Sequence, residues 1–80
     1  LFSDTCYISD INYMAQEHIT PDTRSIGKVR YSHRGADCTL TPMENGMIKC
    51  VFDEPQRAVT PGQAAVLYDG EVVLGGGTVV

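Results

Sequence analysis

The chain has 80 residues, of which 42% are hydrophobic and 20% charged, and its formal net charge is −4. This composition is typical of a soluble globular domain, and no apolar stretch approaches the roughly 20 residues that a membrane-spanning helix needs. A chain of this length forms one domain at most and hides only about 60% of its unfolded surface. We therefore expect one small core, no membrane partner and no anchor.

The first predicted element is a short strand from Thr5 to Ser9. Ser9-Asp10 can begin a single helical turn, which would present Ile11 and Met14 to the core.

The apolar pattern is lost from Ala15 to Asp22, and Thr20-Pro21-Asp22 is typical of a loop. The sequence thus divides into a connecting segment with a short first strand, residues 1–23, and a β-rich part, residues 24–80, within a single domain.

A basic strand is predicted from Ile26 to Arg34, because its residues alternate in character. One side carries Lys28, Arg30, Ser32 and Arg34, and the other carries Val29, Tyr31 and His33. Together with Arg24, these cations lie in an eleven-residue stretch without an acid, whereas Lys49 and Arg57 are the other basic residues against ten carboxylates. The basic charge is therefore concentrated although the chain as a whole is acidic.

The middle of the chain predicts a hairpin. Arg34 to Asp37 is read as a turn, Cys38 to Leu40 as a short strand, and Glu44-Asn45-Gly46 as the hairpin turn before the strand Met47 to Phe52. In that strand one face should belong to the core, and it contains Ile48, Cys50 and Phe52.

Turn chemistry organises the last third of the sequence. Glu54-Pro55-Gln56-Arg57 is predicted to break a strand, and in Thr60-Pro61-Gly62-Gln63 the proline presets φ while Gly62 supplies a positive φ. Asp69-Gly70 favours a tight hairpin. The predicted strands around these turns are Ala64 to Tyr68, Val72 to Leu74 and Thr78 to Val80.

Many short strands separated by turns predict an all-β fold, a small closed antiparallel barrel of about six strands, since closure removes exposed edges. The triplet Gly75 to Gly77 then indicates a bend or a close approach of strands, because no helix follows it to form an anion site.

No catalytic or metal site is predicted. The three cysteines, Cys6, Cys38 and Cys50, are odd in number and lack CxxC spacing, so we expect buried structural thiols in a protein of the reducing cytoplasm. His18 and His33 do not form a metal pair, and the neighbouring carboxylates of Asp53-Glu54 should point to opposite faces.

For the basic strand two interpretations stay open. Its long side chains can simply be solvated and balanced by acids on other strands, or they can contact phosphate and ribose oxygens while Tyr31 stacks on a base.

Several motifs together carry a family resemblance: FDEP, VTPGQ, YDGE and LGGG after residue 51, with GKVRY and Cys38-Thr39 upstream. The sequence resembles the end of bacterial tRNA-specific 2-thiouridylases, which place sulfur on the wobble uridine. Their older label as methyltransferases gains no support, because no glycine-rich cofactor loop is present.

The resemblance implies a barrel similar to the second domain of translation elongation factors. It associates the arginine-tyrosine pair and the glutamine of the TPGQ turn with tRNA contact, which corresponds to Arg30, Tyr31 and Gln63 here. Lys28 and Arg34 would add longer-range attraction, and Arg24 is a less certain member.

The resemblance also implies what lies elsewhere. Adenylation of the uridine by ATP with Mg, and transfer of a persulfide sulfur by two cysteines, belong to upstream domains of the same chain, and a separate protein donates the sulfur. The cysteines of this sequence match neither catalytic cysteine, so this fragment is expected to be inactive alone and to bind no cofactor.

Two alternatives to the tRNA-contacting barrel remain. The barrel can be a structural platform that supports the sister domains without touching RNA, or it can hold a small molecule in an internal cavity. Side chains are expected to fill a barrel this small.

Overall fold

The computed structural model describes residues 2–13, 19–29, 35–57 and 59–80. For Tyr13 it describes only the backbone. These ranges contain six strands: β1 (Phe2–Tyr13), β2 (Thr23–Val29), β3 (Ala36–Pro42), β4 (Ile48–Arg57), β5 (Ala64–Asp69) and β6 (Val72–Val79). The strands close into a barrel in the order β1-β4-β3-β2-β5-β6, and every neighbouring pair is antiparallel. The predicted all-β fold is confirmed.

The first strand differs most from the prediction. It is twelve residues long and pairs with both β4 and β6, so residues 2–13 form part of the barrel, whereas the sequence predicted a strand from Thr5 to Ser9 alone, within a connecting segment. The prediction of a helical turn at Ser9-Asp10 is wrong, because these residues lie in the strand. Asp10 has a positive φ of 54°, and the register between β1 and β6 shifts between Ser9 and Asn12. Such a bulge keeps the strand paired while turning it sharply. Ile11 does pack against the core, as predicted, and Met14 lies outside the described residues.

Two further strands continue through residues that were predicted to stop them. β4 runs through Pro55, although Phe52 to Pro55 have no partner in β1, whose register jumps from Ser3↔Gln56 to Thr5↔Val51. The missing N–H of Pro55 therefore interrupts no ladder there. β6 passes through Gly75 to Gly77 without a break, so Thr78 to Val80 is not a separate strand.

β3 begins at Ala36, so Ala36 and Asp37 are strand residues and not part of the predicted turn. Arg34, also assigned to that turn, lies outside the described residues.

The turns largely confirm their predicted chemistry. Gly62 has a φ of +92°. In the β3–β4 hairpin Gly46 has a φ of +82° and donates to the carbonyl of Met43 at 3.1 Å, which forms a three-residue loop. Between β5 and β6 the central residues are Gly70 and Glu71, with a positive φ at Gly70 alone, as in a type II′ turn.

Side chains fill the barrel interior. Ile48, Cys50 and Phe52 are buried on one face of β4, as predicted. The Phe52 ring lies over Gly27, where an added Cβ would stand 3.1 Å from Phe52 Cε1. The glycine thus leaves space for an aromatic ring at the centre of a narrow barrel.

Candidate nucleic-acid interface

Lys28 lies on the outer surface of β2. Ser25, Gly27 and Val29 are buried, while Lys28 is half-buried and pairs across the sheet with Val66 of β5. The alternation predicted for this strand is confirmed as far as residue 29. Arg30, Tyr31 and Arg34 lie outside the described residues, as do His18 and His33, so the shared face of Lys28, Arg30 and Arg34 stays a prediction.

Arg24 is already neutralised by its own barrel. Its Nη1 donates to Asp53 Oδ1 at 2.7 Å and to Thr39 Oγ1 at 2.7 Å, and its Nη2 donates to Asp53 Oδ2 at 2.6 Å. Both side chains are exposed, at 57% and 48%. The guanidinium holds the pKa of the Asp53 carboxyl below its usual value. Of the two cations of β2, Arg24 and Lys28, Arg24 is therefore the less available to a phosphate.

Gln63 has a structural role that was not among the predictions from the sequence. Gln63 is only 6% exposed, and its Oε1 accepts a hydrogen bond from the backbone N–H of Thr60 at 3.2 Å. Its backbone N–H bonds back to the Thr60 carbonyl at 3.4 Å. The side-chain carbonyl thus closes the TPGQ turn, and the amide nitrogen Nε2 has no hydrogen-bond partner among the described residues.

The backbone fixes this turn against the last strand. Gly62 N–H donates to the Val79 carbonyl at 2.7 Å, and Val79 N–H donates to the Gln63 carbonyl at 2.8 Å. The signal for such a role was present in the sequence, since Thr60 and Gln63 are the first and last residues of a four-residue turn whose ends meet.

Lys28 and the Gln63 turn lie toward the same end of the β2–β5 ladder. Val29, the residue before Arg30 in the sequence, pairs with Ala65, which is two residues after Gln63. Lys28 pairs with the next residue, Val66. Two of the predicted contact residues therefore lie at one end of the β2–β5 ladder.

The three cysteines are buried and free, as predicted. Cys6 and Cys50 are direct cross-strand partners, and the Cys38 thiol donates to the Ser25 carbonyl at 3.5 Å. The pKa of Cys50 is raised, chiefly by hydrogen bonding to the Cys38 and Cys6 thiols and to a smaller extent by burial. A thiol that resists ionisation is a poor nucleophile, which fits a structural role.

Within the described ranges, His, Cys, Asp and Glu form no group of three or more that could hold a metal ion. In the same part of the chain, no helix has the length and apolarity to cross a membrane.

Comparison with known proteins identifies the family. Residues 3–79 match the family described as the aminomethyltransferase beta-barrel domain. The chain belongs to this family. The match extends from β1 to β6 and so covers nearly the whole barrel.

The most similar proteins include several named tRNA-specific 2-thiouridylase MnmA. The one from Lachnoclostridium phytofermentans is 44% identical over 80 residues, which are 100% of this chain and 22% of that protein. The one from Acetivibrio thermocellus is 46% identical over 70 residues, 88% of this chain and 20% of that protein. The one from Chlorobium chlorochromatii is 44% identical over 77 residues, 96% of this chain and 21% of that protein.

The predicted resemblance to the C-terminal domain of the 2-thiouridylases is thereby confirmed. The chain spans about a fifth of the length of these curated relatives, for example 22% of the Lachnoclostridium phytofermentans protein.

Proposed function

We propose that this barrel is the tRNA-contacting domain of a longer 2-thiouridylase, here called the parent chain, and that it positions the tRNA while other domains carry out the chemistry. Its relatives are named for a reaction on tRNA. The single observation that carries the proposal is that Lys28, on the outer surface, and the Gln63 turn lie toward the same end of the β2–β5 ladder. The residues that follow Val29 in the sequence are Arg30 and Tyr31, which the family resemblance associates with tRNA.

The chemistry of each residue suits a role in positioning. Lys28 is a compact cation on the outer surface, suited to a phosphate, and Arg30 and Arg34 would extend the same attraction. The Nε2 group of Gln63 can donate to a ribose or base oxygen while Oε1 keeps the turn closed. Tyr31 offers a ring on which a base can stack.

Activation and sulfur transfer are assigned to the rest of the parent chain. The described residues form no helix, and therefore no helix N-terminus at which a nucleotide phosphate could bind, and their thiols are buried. In this proposal ATP with Mg and the sulfur-donor protein act on the other domains, in the cytoplasm. Holding the substrate in place can itself account for several kcal/mol of a barrier.

Matched charge reversals test the proposal in the parent chain. Lys28→Glu should weaken tRNA binding by about ten-fold. It should also reduce the slope of the logarithm of the binding constant against the logarithm of the salt concentration by about 1. Lys49→Glu is the control, because Lys49 is also a half-buried lysine on the outside of a strand, but lies on β4 between Tyr7 and Thr41. Equal losses for the two variants in a filter-binding titration at two salt concentrations would contradict a defined contact.

Gln63 offers a second test, in which tRNA binding is compared with stability. Gln63→Glu retains an acceptor for the Thr60 N–H but removes the amide donor and places a carboxylate at a residue that is only 6% exposed, so both tRNA binding and the melting temperature should fall. Gln63→Ala removes the turn bond as well and should cost about 1 kcal/mol of stability.

Arg30→Glu in the parent chain should lower tRNA binding while thermal stability stays nearly unchanged. Loss of stability with intact tRNA binding for Arg30→Glu would instead favour a purely structural barrel.

A further inference from the structure

From Ala64 to Tyr68, the outer face of β5 and the β6 residues that pair with it carry no charged side chain. On β5 the outward residues Ala64, Val66 and Tyr68 pair with Thr78, Gly76 and Val73 of β6. This face has no side-chain charge among the described residues, although the chain carries sixteen acidic and basic residues, ten plus six. The nearest described cation is Lys28, which borders the face beside Val66.

A shallow groove runs along this face and has a volume of about 330 Å³. We call it the glycine groove, and its lining includes Gly75 to Gly77, Val66, Val73, Ala64 and Asn12. Asn12 supplies the only polar side chain among these lining residues. The floor is low because Gly76, which pairs with the outward residue Val66, has no side chain.

Close packing in the barrel explains why residues 76 and 77 are glycines. A Cβ at Gly76 would lie 3.0 Å from the Ala65 carbonyl oxygen, and one at Gly77 would meet the Ser9 carbonyl oxygen and stand 2.7 Å from Ile8 Cγ2. The groove is therefore a permanent feature of the folded barrel and is formed before any partner binds.

The chemistry of the lining identifies the kind of occupant. Surfaces that bind nucleic acid are polar and positively charged, whereas Asn12 is the one polar side chain among the residues that line this groove and none of them is charged. An apolar concavity on a small domain is typical of a protein contact. The chain spans only about a fifth of its relatives, 22% and 20% in two of them, so most of such a parent chain is polypeptide tethered to this barrel. Tethering raises the local concentration of such a partner to about the millimolar range, which favours an intramolecular occupant even for a small groove.

We infer that the glycine groove is the docking site for an apolar segment from the remaining part of the parent chain, whose aliphatic or aromatic side chains lie against Gly75 to Gly77 and Val66. The inference uses the parent chain of the proposed function but not its tRNA contact. The β5–β6 face then holds the protein partner, while the neighbouring outer face of β2, with Lys28, stays open to RNA.

Thiol labelling of the parent chain tests this inference. Val66→Cys places a thiol in the groove, and Val51→Cys is its matched control, since Val51 is likewise a half-buried valine at the centre of an outward strand face. The native thiols of the barrel are buried and should stay silent. Without tRNA, we expect a small maleimide to label residue 66 about ten-fold more slowly than residue 51, as measured by peptide mass spectrometry.

Three outcomes would overturn the inference. Equal rates at the two positions would mean that the groove is open. Protection that appears only after tRNA is added would identify the occupant as RNA, and protection that disappears on dilution of the protein would identify it as a second copy of the chain.

A second pair of variants guards against a local disturbance by the cysteine. Val66→Lys in the parent chain should weaken docking, so that limited proteolysis separates the barrel from the other domains about ten-fold faster than in Val51→Lys. Indistinguishable cleavage rates, with both variants folded by circular dichroism, would also overturn the inference.

Discussion

The β3–β4 side of the barrel and the β5–β6 side use their outward positions in opposite ways. On the first, Arg24 reaches across from β2 to a bidentate contact with Asp53 and a hydrogen bond to Thr39. On the second, uncharged residues and glycines leave a shallow apolar groove. One surface satisfies its polar groups internally, and the other leaves apolar area without a partner among the described residues.

This difference shows that the position of a charge matters more than the net charge. Arg24 and Lys28 belong to the same strand, but only Arg24 has a carboxylate partner in the described part of the barrel. A cation that is already paired must give up that contact before it can bind a phosphate. Lys28 is thus the better candidate for RNA, although both residues belong to one basic stretch of sequence.

Gly77→Val should produce the largest effect on the β5–β6 side. The new side chain would collide with the Ser9 carbonyl and with Ile8 and Ile11, so we expect a loss of about 3 kcal/mol in the free energy of unfolding, measured by urea denaturation. Thr78→Val is the control at the next position, on the half-buried outer surface, and should change stability by less than about 0.5 kcal/mol. Similar losses for the two variants would show that the glycine is not required for close approach.

A smaller effect is expected at Gly62, where the cause is backbone conformation alone. Nothing lies within 4 Å of an added Cβ, but φ is +92°. Gly62→Val should therefore cost about 2 kcal/mol in a thermal melt, and Gly62→Asn less than about 1 kcal/mol, because asparagine enters the left-handed region more easily. An equal cost for both would contradict backbone strain as the cause.

The smallest effect concerns the ion pair on the β3–β4 side. Because Arg24 lowers the pKa of Asp53, the pair adds stability when the carboxyl is ionised, above its ordinary pKa of about 3.8, and this stability is lost as the pH falls through the lower folded value. Arg24→Ala should return the Asp53 pKa to its ordinary range in an NMR titration of the carboxyl carbon. In the parent chain this variant should leave tRNA affinity unchanged, in contrast to Lys28→Glu.

Local rules predicted the parts of this fold that depend on neighbours in sequence. The alternation of Ile48, Cys50 and Phe52 identified a core face, and the Pro61-Gly62 pair identified a turn with positive φ, because both depend on a few adjacent residues. Closure into a barrel followed from the number of strands and turns.

Features that depend on distant partners could not be predicted in this way. The bulge at Asp10 is formed against Gly77 of β6, and β4 continues through Pro55 only because β1 makes no pairing there. For Gln63, the family resemblance indicated an RNA contact, but its burial accompanies the packing of the turn against Val79, which is distant in the sequence. The same residue can serve both purposes, since the turn uses one end of its amide.

Pairing of β1 with β6 has a consequence for biosynthesis. β1 is translated before the other five strands and β6 after them, so Ile8 must wait for Val79 to leave the ribosome before the ring of strands can close. Contacts over such sequence separations are slow to form, and until then β1 exposes an unpaired edge to the cell. A nascent barrel that still lacks β6 is therefore the form of this protein that is most exposed to aggregation and depends most on chaperones.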